Sequence, residues 1–143
     1  MKPSKFLYIN AKTLDEALKA LEIPDIKIIA GGQSLVPLMN YRLSQPSTVL
    51  DINSIQELSY VQIKDESIEI GSLTTHNQAI DSNIIKKHFP IICFSIEQTA
   101  HKTIRNSGTI GGSAAQADPA AEWPRLIMLL NGSVNIRSLK NNR

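Results

Sequence analysis

Apolar positions in the first third of the chain switch between a helical period and short β-type runs. Four apolar residues recur at helical spacing after Thr13, which forms a capping-box pattern with Glu16 and predicts a helix over residues 14–21. Runs rich in apolar and β-branched residues at 6–9, 26–30 and 48–52 predict three strands around it. A further helix over 35–43 is interrupted by Pro37. This alternation favours a small parallel βαβ lobe.

The pattern changes after Asn53. Apolar residues at 61, 63, 68 and 70 alternate with polar ones on both sides of a charged turn, which predicts an antiparallel hairpin. A second capping box at Thr75 predicts a helix through 81. Further helices are expected from Pro90 to about 104 and from Asp118 to 130, followed by a strand over 134–136. The predicted fold class is α+β, with a parallel lobe over residues 1–53 and a second, partly antiparallel lobe over 54–143.

Composition excludes several classes of function. The 143 residues are 42% hydrophobic with a net charge of +2, too little for a nucleic-acid or membrane-surface partner. No apolar stretch is long enough for a membrane span, so a cytoplasmic protein is expected. One cysteine, Cys93, cannot form an internal disulfide or hold an iron–sulfur cluster alone. The three histidines fall on separate elements, so neither a metal site nor a set of catalytic acid–base residues is predicted.

Glycine is concentrated in two short segments that are far apart in the sequence. The first glycine segment is residues 30–35 (AGGQSL), at the end of the second predicted strand, and the second glycine segment is residues 109–113 (TIGGS). Glycine permits close approach and left-handed backbone, so successive N–H groups can converge on an anion. Neither segment is a P-loop or a G-x-G-x-x-G fingerprint. Two ordinary Gly-Gly turns are the plain alternative.

We predict that the main-chain amides of the two segments meet around one phosphate-like ligand, with hydroxyl and amide side chains adding donors. The candidate binding residues are Ala30, Gly31, Gly32, Gln33, Ser34, Leu35, Thr109, Gly111, Gly112 and Ser113. Arg105 either offsets phosphate charge or caps the preceding helix. Trp123 either lines the site or belongs to the core.

Three stretches in this order, AGGQSLVPLM, IGSLTTH and IRNSGTIGGSAAQADPAAEWP, resemble the FAD-binding (medium) subunit of the molybdenum hydroxylases. That family includes the carbon monoxide dehydrogenase medium chain and the flavin subunits of xanthine and aldehyde dehydrogenases. The resemblance implies a two-lobed FAD-binding domain, with FAD as cofactor and its pyrophosphate between the two glycine segments. It also places Glu122 near the adenosine, although an exposed helix carboxylate needs no such role.

The resemblance further implies a subunit that transfers electrons. Electrons from a large molybdopterin subunit would pass through a small iron–sulfur subunit to the flavin and then to an acceptor. The family's flavin subunits are typically about twice as long as these 143 residues, so weak or no retention of FAD by this chain alone is expected. Two alternatives stay open: a non-catalytic nucleotide-binding or assembly module that keeps the fold without flavin, and a protein that binds ADP-like ligands without redox chemistry.

Overall fold

The computed structural model of the chain describes residues 1–141, which form two compact units. One unit comprises Met1–Gln56 together with the segment from Ser133 onward, and the other comprises Glu57–Gly132. The predicted lobes, 1–53 and 54–143, differ from these units mainly at the C-terminal segment, which groups with the first unit. The predicted lobes stay a prediction about domains.

The first unit is a parallel three-stranded sheet with two helices. Its elements are β1 (Leu7–Asn10), α1 (Leu14–Ala20), β2 (Ile26–Ile29), α2 (Leu35–Asn40) and β3 (Thr48–Asp51). The strand order is β1-β3-β2 with both pairings parallel, so the carboxyl ends of all three strands lie at one edge. The central strand is the most buried, since Val49 and Leu50 are 1% and 0% exposed. Thr13 caps α1 as predicted, accepting from Glu16 N at 3.2 Å.

The second unit joins an antiparallel hairpin to six helices. A short 3-10 helix (Gln56–Leu58) leads into β4 (Val61–Lys64) and β5 (Ser67–Ile70), which pair antiparallel as predicted. The helices are α3 (His76–Asp81), α4 (Asn83–His88), α5 (Pro90–Glu97), α6 (Lys102–Ser107), α7 (Ile110–Gln116) and α8 (Glu122–Leu129). Their shared core contains Ala79, Ile85, Ile92, Ile96, Ile110, Trp123 and Leu126. The α+β class is therefore confirmed.

Several predicted boundaries in the second unit were wrong. The helix expected from Pro90 to about 104 is two helices, because Ala100 between them has a left-handed φ of 42°. Helix α4 was not predicted. The last helix begins at Glu122 instead of Asp118, whose carboxylate accepts from Ala120 N at 2.8 Å in a turn. Pro124 fits the first turn of α8, where no amide donor is required.

The chain after α8 also differs from expectation. Asn131 adopts a left-handed φ of 51°, and Gly132 N donates to Ile127 O at 2.7 Å, which is a Schellman C-cap. The strand predicted over 134–136 is not present. Within residues 1–141, no helix combines the length and the apolar character that crossing a bilayer requires.

Candidate ligand-binding site

The first glycine segment connects the carboxyl end of β2 to α2. Gly32 has a φ of +69°, and a Cβ added there would lie 3.1 Å from Val36 Cγ2. A side chain at this position is therefore disfavoured both by the backbone and by the space available. The segment lies at the edge of the parallel sheet where ligands of open α/β sheets bind.

The main-chain donors of this segment are unpaired. No acceptor among residues 1–141 receives a hydrogen bond from the N–H groups of residues 31–35. The side chain of Ser34, at the N-cap position of α2, makes no capping hydrogen bond. Gln33 Nε2 donates to Gly31 O at 3.0 Å within the segment, and a contact from Gln33 to a ligand stays a prediction. Five consecutive unpaired N–H groups leave a run of donors suited to an anion with several acceptor oxygens.

The second glycine segment has a different structure. It is the start of α7, with Thr109 as the N-cap accepting from Gly112 N at 3.1 Å. Ile110 N donates to Thr74 O at 3.0 Å, and Gly111 N donates to Ser72 O at 2.9 Å. Ser113 N closes the first helical turn on Thr109 O at 3.0 Å. The N–H groups of residues 110–113 are therefore all used within the chain, and binding of an anion by the amides of this segment stays a prediction.

The glycines of the second segment serve close packing. A Cβ on Gly111 would lie 2.5 Å from Ser72 Cβ and 2.7 Å from Ser72 O, so only glycine lets α7 approach this backbone. Gly108 O accepts from His76 N at 3.0 Å on the same side. Gly112 is exposed, and the Ser113 hydroxyl has no hydrogen-bond partner within residues 1–141. Gly112 therefore offers accessible surface to a ligand, and Ser113 offers a hydroxyl donor.

Glu122 begins α8 beside a buried pair of aromatic rings. His76 and Trp123 are 8% and 3% exposed, with ring centroids 6.2 Å apart in an edge-to-face arrangement. Burial lowers the pKa of His76, and the Thr109 main chain and the Glu122 charge only partly oppose this. Neither ring nitrogen of His76 nor Trp123 Nε1 has a partner within residues 1–141. Trp123 is thus a core residue, while the Glu122 carboxylate has no hydrogen-bond or ion-pair partner in that range.

Arg105 is a capping residue. Its Nη1 donates to the carbonyl oxygens of Glu97, Thr99 and Ala100 at 3.2, 2.9 and 2.8 Å, and its Nε donates to Asn77 Oδ1 at 3.2 Å. These contacts hold the chain where α5 ends and the left-handed Ala100 turns it towards α6. The capping alternative for Arg105 is confirmed.

The candidate residues divide between the two compact units. Residues 30–35 belong to the first unit, whereas residues 109–113 and Glu122 belong to the second. The first segment presents unpaired main-chain donors, and the second presents a hydroxyl, an exposed glycine and a carboxylate. Asn53 was not among the predicted site residues, since no local pattern marks it, and its side chain donates to Ala30 O at 2.9 Å.

Comparison with known proteins identifies the family. Residues 4–143 match the family described as "FAD binding domain in molybdopterin dehydrogenase". The chain is 45% identical to the 6-hydroxypseudooxynicotine dehydrogenase complex subunit alpha of Paenarthrobacter nicotinovorans, covering 100% of this chain and 49% of that protein. It is 37% identical to the glyceraldehyde dehydrogenase medium chain of Sulfolobus acidocaldarius, covering 100% and 51%. The chain thus spans about half the length of these relatives.

Comparison with solved structures supports the same family assignment. Carbon monoxide dehydrogenase from Hydrogenophaga pseudoflava superposes with a TM-score of 0.97 at 33% identity, over 100% of this chain and 50% of that one. Quinoline 2-oxidoreductase from Pseudomonas putida 86 gives a TM-score of 0.97 at 36% identity, with the same coverage. The family resemblance inferred from the three motifs is confirmed. The description of the matching family names FAD as its cofactor. The chain belongs to the family of FAD-binding domains of molybdopterin dehydrogenases.

Proposed function

We propose that this chain binds the diphosphate and adenosine part of FAD, and that it is the flavin-binding part of an electron-transfer subunit in a molybdenum hydroxylase. The single observation that carries the proposal is the run of unpaired N–H groups at residues 31–35. A diphosphate has several acceptor oxygens, and consecutive main-chain donors at a glycine turn are a recurrent way to bind one.

The second unit contributes in another way. In this proposal, Thr109, Gly111, Gly112 and Ser113 line the ligand with a surface that lacks bulky side chains, and the Ser113 hydroxyl supplies a donor. Glu122 accepts hydrogen bonds from ribose hydroxyls, a role that carboxylates have in other dinucleotide sites. The support for this is that the carboxylate of Glu122 is unpaired within residues 1–141.

The redox chemistry would come from the cofactor. Bound FAD supplies reversible electron acceptance, and the protein supplies binding and orientation. We further propose that the electrons come from a large molybdopterin subunit through a small iron–sulfur subunit, in the cytoplasm. The support is that the relatives' names describe subunits of dehydrogenase complexes, such as the xanthine dehydrogenase FAD-binding subunit of Escherichia coli O157:H7.

Titration of the purified chain with FAD, ADP and FMN tests the proposal. Calorimetry should detect binding of FAD and of ADP, because both contain the diphosphate and the adenosine, and no binding of FMN. FMN binding as tight as FAD binding would place the main contacts on the isoalloxazine side and contradict the proposed site. Absence of both FAD and ADP binding would favour the alternative, an assembly module that keeps the fold without flavin.

A further inference from the structure

A polar network links β1 and the carboxyl end of β3 to the first glycine segment. Asn53 lies just beyond β3, and its Nδ2 donates to Ala30 O at 2.9 Å and to Asp51 Oδ1 at 2.8 Å. Asn53 N donates to the same Asp51 oxygen at 2.8 Å. The other oxygen of Asp51 accepts from the Tyr8 hydroxyl. Both hydrogens of the Asn53 amide are therefore used, one on the glycine segment and one on β3.

The acceptor at the centre of this network is ionised at neutral pH. Burial raises the pKa of the Asp51 carboxyl, but the hydrogen bonds from Tyr8 and Asn53 outweigh it and lower the pKa overall. Hydrogen bonds to a carboxylate are stronger than those between neutral groups. Asp51 thus orients the Asn53 side chain, and the hydrogen bond from Asn53 in turn holds the carbonyl group of Ala30.

The glycine segment has few other hydrogen bonds to hold it. Gln33 Nε2 contacts Gly31 O from within the segment, and Val36 N donates to Gly32 O at 3.0 Å from the adjoining helix. Within residues 1–141, Asn53 makes the only hydrogen bond to residues 30–35 from another part of the chain. A turn whose five N–H groups stay unpaired lacks the contacts that normally fix backbone conformation, so ordering it costs conformational entropy.

From this geometry we infer that Asn53, held by Asp51, is a positioning residue for the diphosphate-binding turn. The inference depends on the proposed function for the identity of the ligand. Asn53 holds Ala30 in place so that the N–H groups of residues 31–35 are ordered before the ligand arrives. A turn that is ordered in advance loses less entropy on binding, which raises affinity without any contact between Asn53 and the ligand.

The test compares Asn53→Ala with a matched control in the same unit. Gln45 Nε2 also donates to a main-chain carbonyl, Arg42 O at 3.2 Å, and Gln45 Oε1 accepts from Ser4 Oγ at 2.6 Å, so Gln45→Ala likewise removes two hydrogen bonds, but away from the glycine segment. In calorimetric titrations of the 143-residue chain, Asn53→Ala should weaken ADP binding about fivefold to tenfold. Gln45→Ala should stay within about twofold of the unchanged protein. Asn53→Asp keeps the side-chain size but removes the donor, and should be at least as damaging as Asn53→Ala.

A second readout separates this inference from the proposed function. Backbone ¹⁵N relaxation of the ligand-free protein should show increased fast motion at residues 31–35 in Asn53→Ala but not in Gln45→Ala. Wild-type affinity in Asn53→Ala and Asn53→Asp, or unchanged relaxation of residues 31–35, would overturn the positioning role. If the wild-type chain binds neither ADP nor FAD, the proposed function fails, and the relaxation measurement still decides whether Asn53 orders the turn.

Discussion

The packing of Gly111 gives the most specific prediction, because a side chain at this position would meet the backbone of Ser72. An alanine Cβ at this position would lie 2.5 Å from Ser72 Cβ, 2.7 Å from Ser72 O and 2.9 Å from Ser72 Cα. Two of these atoms are backbone, so a side-chain rotation cannot relieve the clash. Helix α7 or the segment around Ser72 must move, and the hydrogen bond from Gly111 N to Ser72 O must lengthen.

The expected cost follows from three contributions. Overfilling a packed site costs about 1–3 kcal/mol, and weakening one backbone hydrogen bond costs about 1 kcal/mol. Alanine is favoured over glycine inside a helix by about 1 kcal/mol, which offsets part of this loss. Gly111→Ala should therefore lower the free energy of unfolding of the second unit by about 1–3 kcal/mol.

Gly112→Ala is the matched control, one residue away in the same helical turn. Its Cβ would meet only Thr109 Oγ1, at 2.8 Å, so the loss is limited to weakening the N-cap. That loss of about 1 kcal/mol is similar to the gain from helix propensity, and the variant should stay within about 1 kcal/mol of the unchanged protein.

Urea unfolding followed by tryptophan fluorescence measures both variants. Trp123 is the single tryptophan and is 3% exposed in the core of the second unit, so its emission reports on that unit. Gly111→Ala should unfold at clearly lower urea than Gly112→Ala. A Gly111→Ala protein as stable as the unchanged chain would refute the packing role.

Three further predictions concern other positions. Gly32→Ala should cost about 1–2 kcal/mol in urea unfolding followed by circular dichroism, because alanine is strained at a φ of +69°, and wild-type stability would contradict this. Arg105→Gln should cost about 2 kcal/mol in the fluorescence assay, since three carbonyls lose a charged donor, and an unchanged midpoint would exclude the capping role. Because burial lowers the pKa of His76, the unfolded chain binds the proton first, so stability should fall as pH drops below 6.5. The free energy of unfolding of His76→Leu should not show this fall between about pH 8 and pH 5. Parallel curves of unfolding free energy against pH for the two proteins would contradict the role of His76.

Elements with strong local signals could be predicted from the sequence. The capping boxes at Thr13 and Thr75 place the starts of α1 and α3, and both threonine hydroxyls accept the expected amide. The alternation on either side of the charged turn likewise identifies the β4–β5 hairpin. In each case the signal lies within a few residues of the element it defines, so no distant contact is needed to specify it.

The features that were missed depend on contacts between distant parts of the chain. The apolar stripe of α5 continues to Ala100, but the helix ends earlier, where the Arg105 side chain reaches back to three carbonyls. A Gly-Gly pair is equally compatible with an anion-binding turn and with close packing. The partner that distinguishes them for Gly111 is Ser72, and no local pattern identifies it.

The candidate site was predicted in part for the same reason. The first glycine segment has unpaired donors and lies at the carboxyl end of β2, where the sequence predicts the turn. The contribution of Asn53 could not be found from the sequence, because its contact to Ala30 exists only once β2 and β3 pair. The family motifs identified the domain, but they did not reveal that the two glycine segments use their amides differently.

The central claim is that main-chain donors of the first glycine segment bind a diphosphate, while the N–H groups of residues 110–113 are used within the protein. The most direct measurement is a ¹H–¹⁵N NMR titration of the chain with ADP. The account predicts large shift changes for the amides of residues 31–35, and slow hydrogen exchange at Gly111 and Gly112 before ligand is added. Bound ADP that leaves the amides of residues 31–35 unshifted would contradict it.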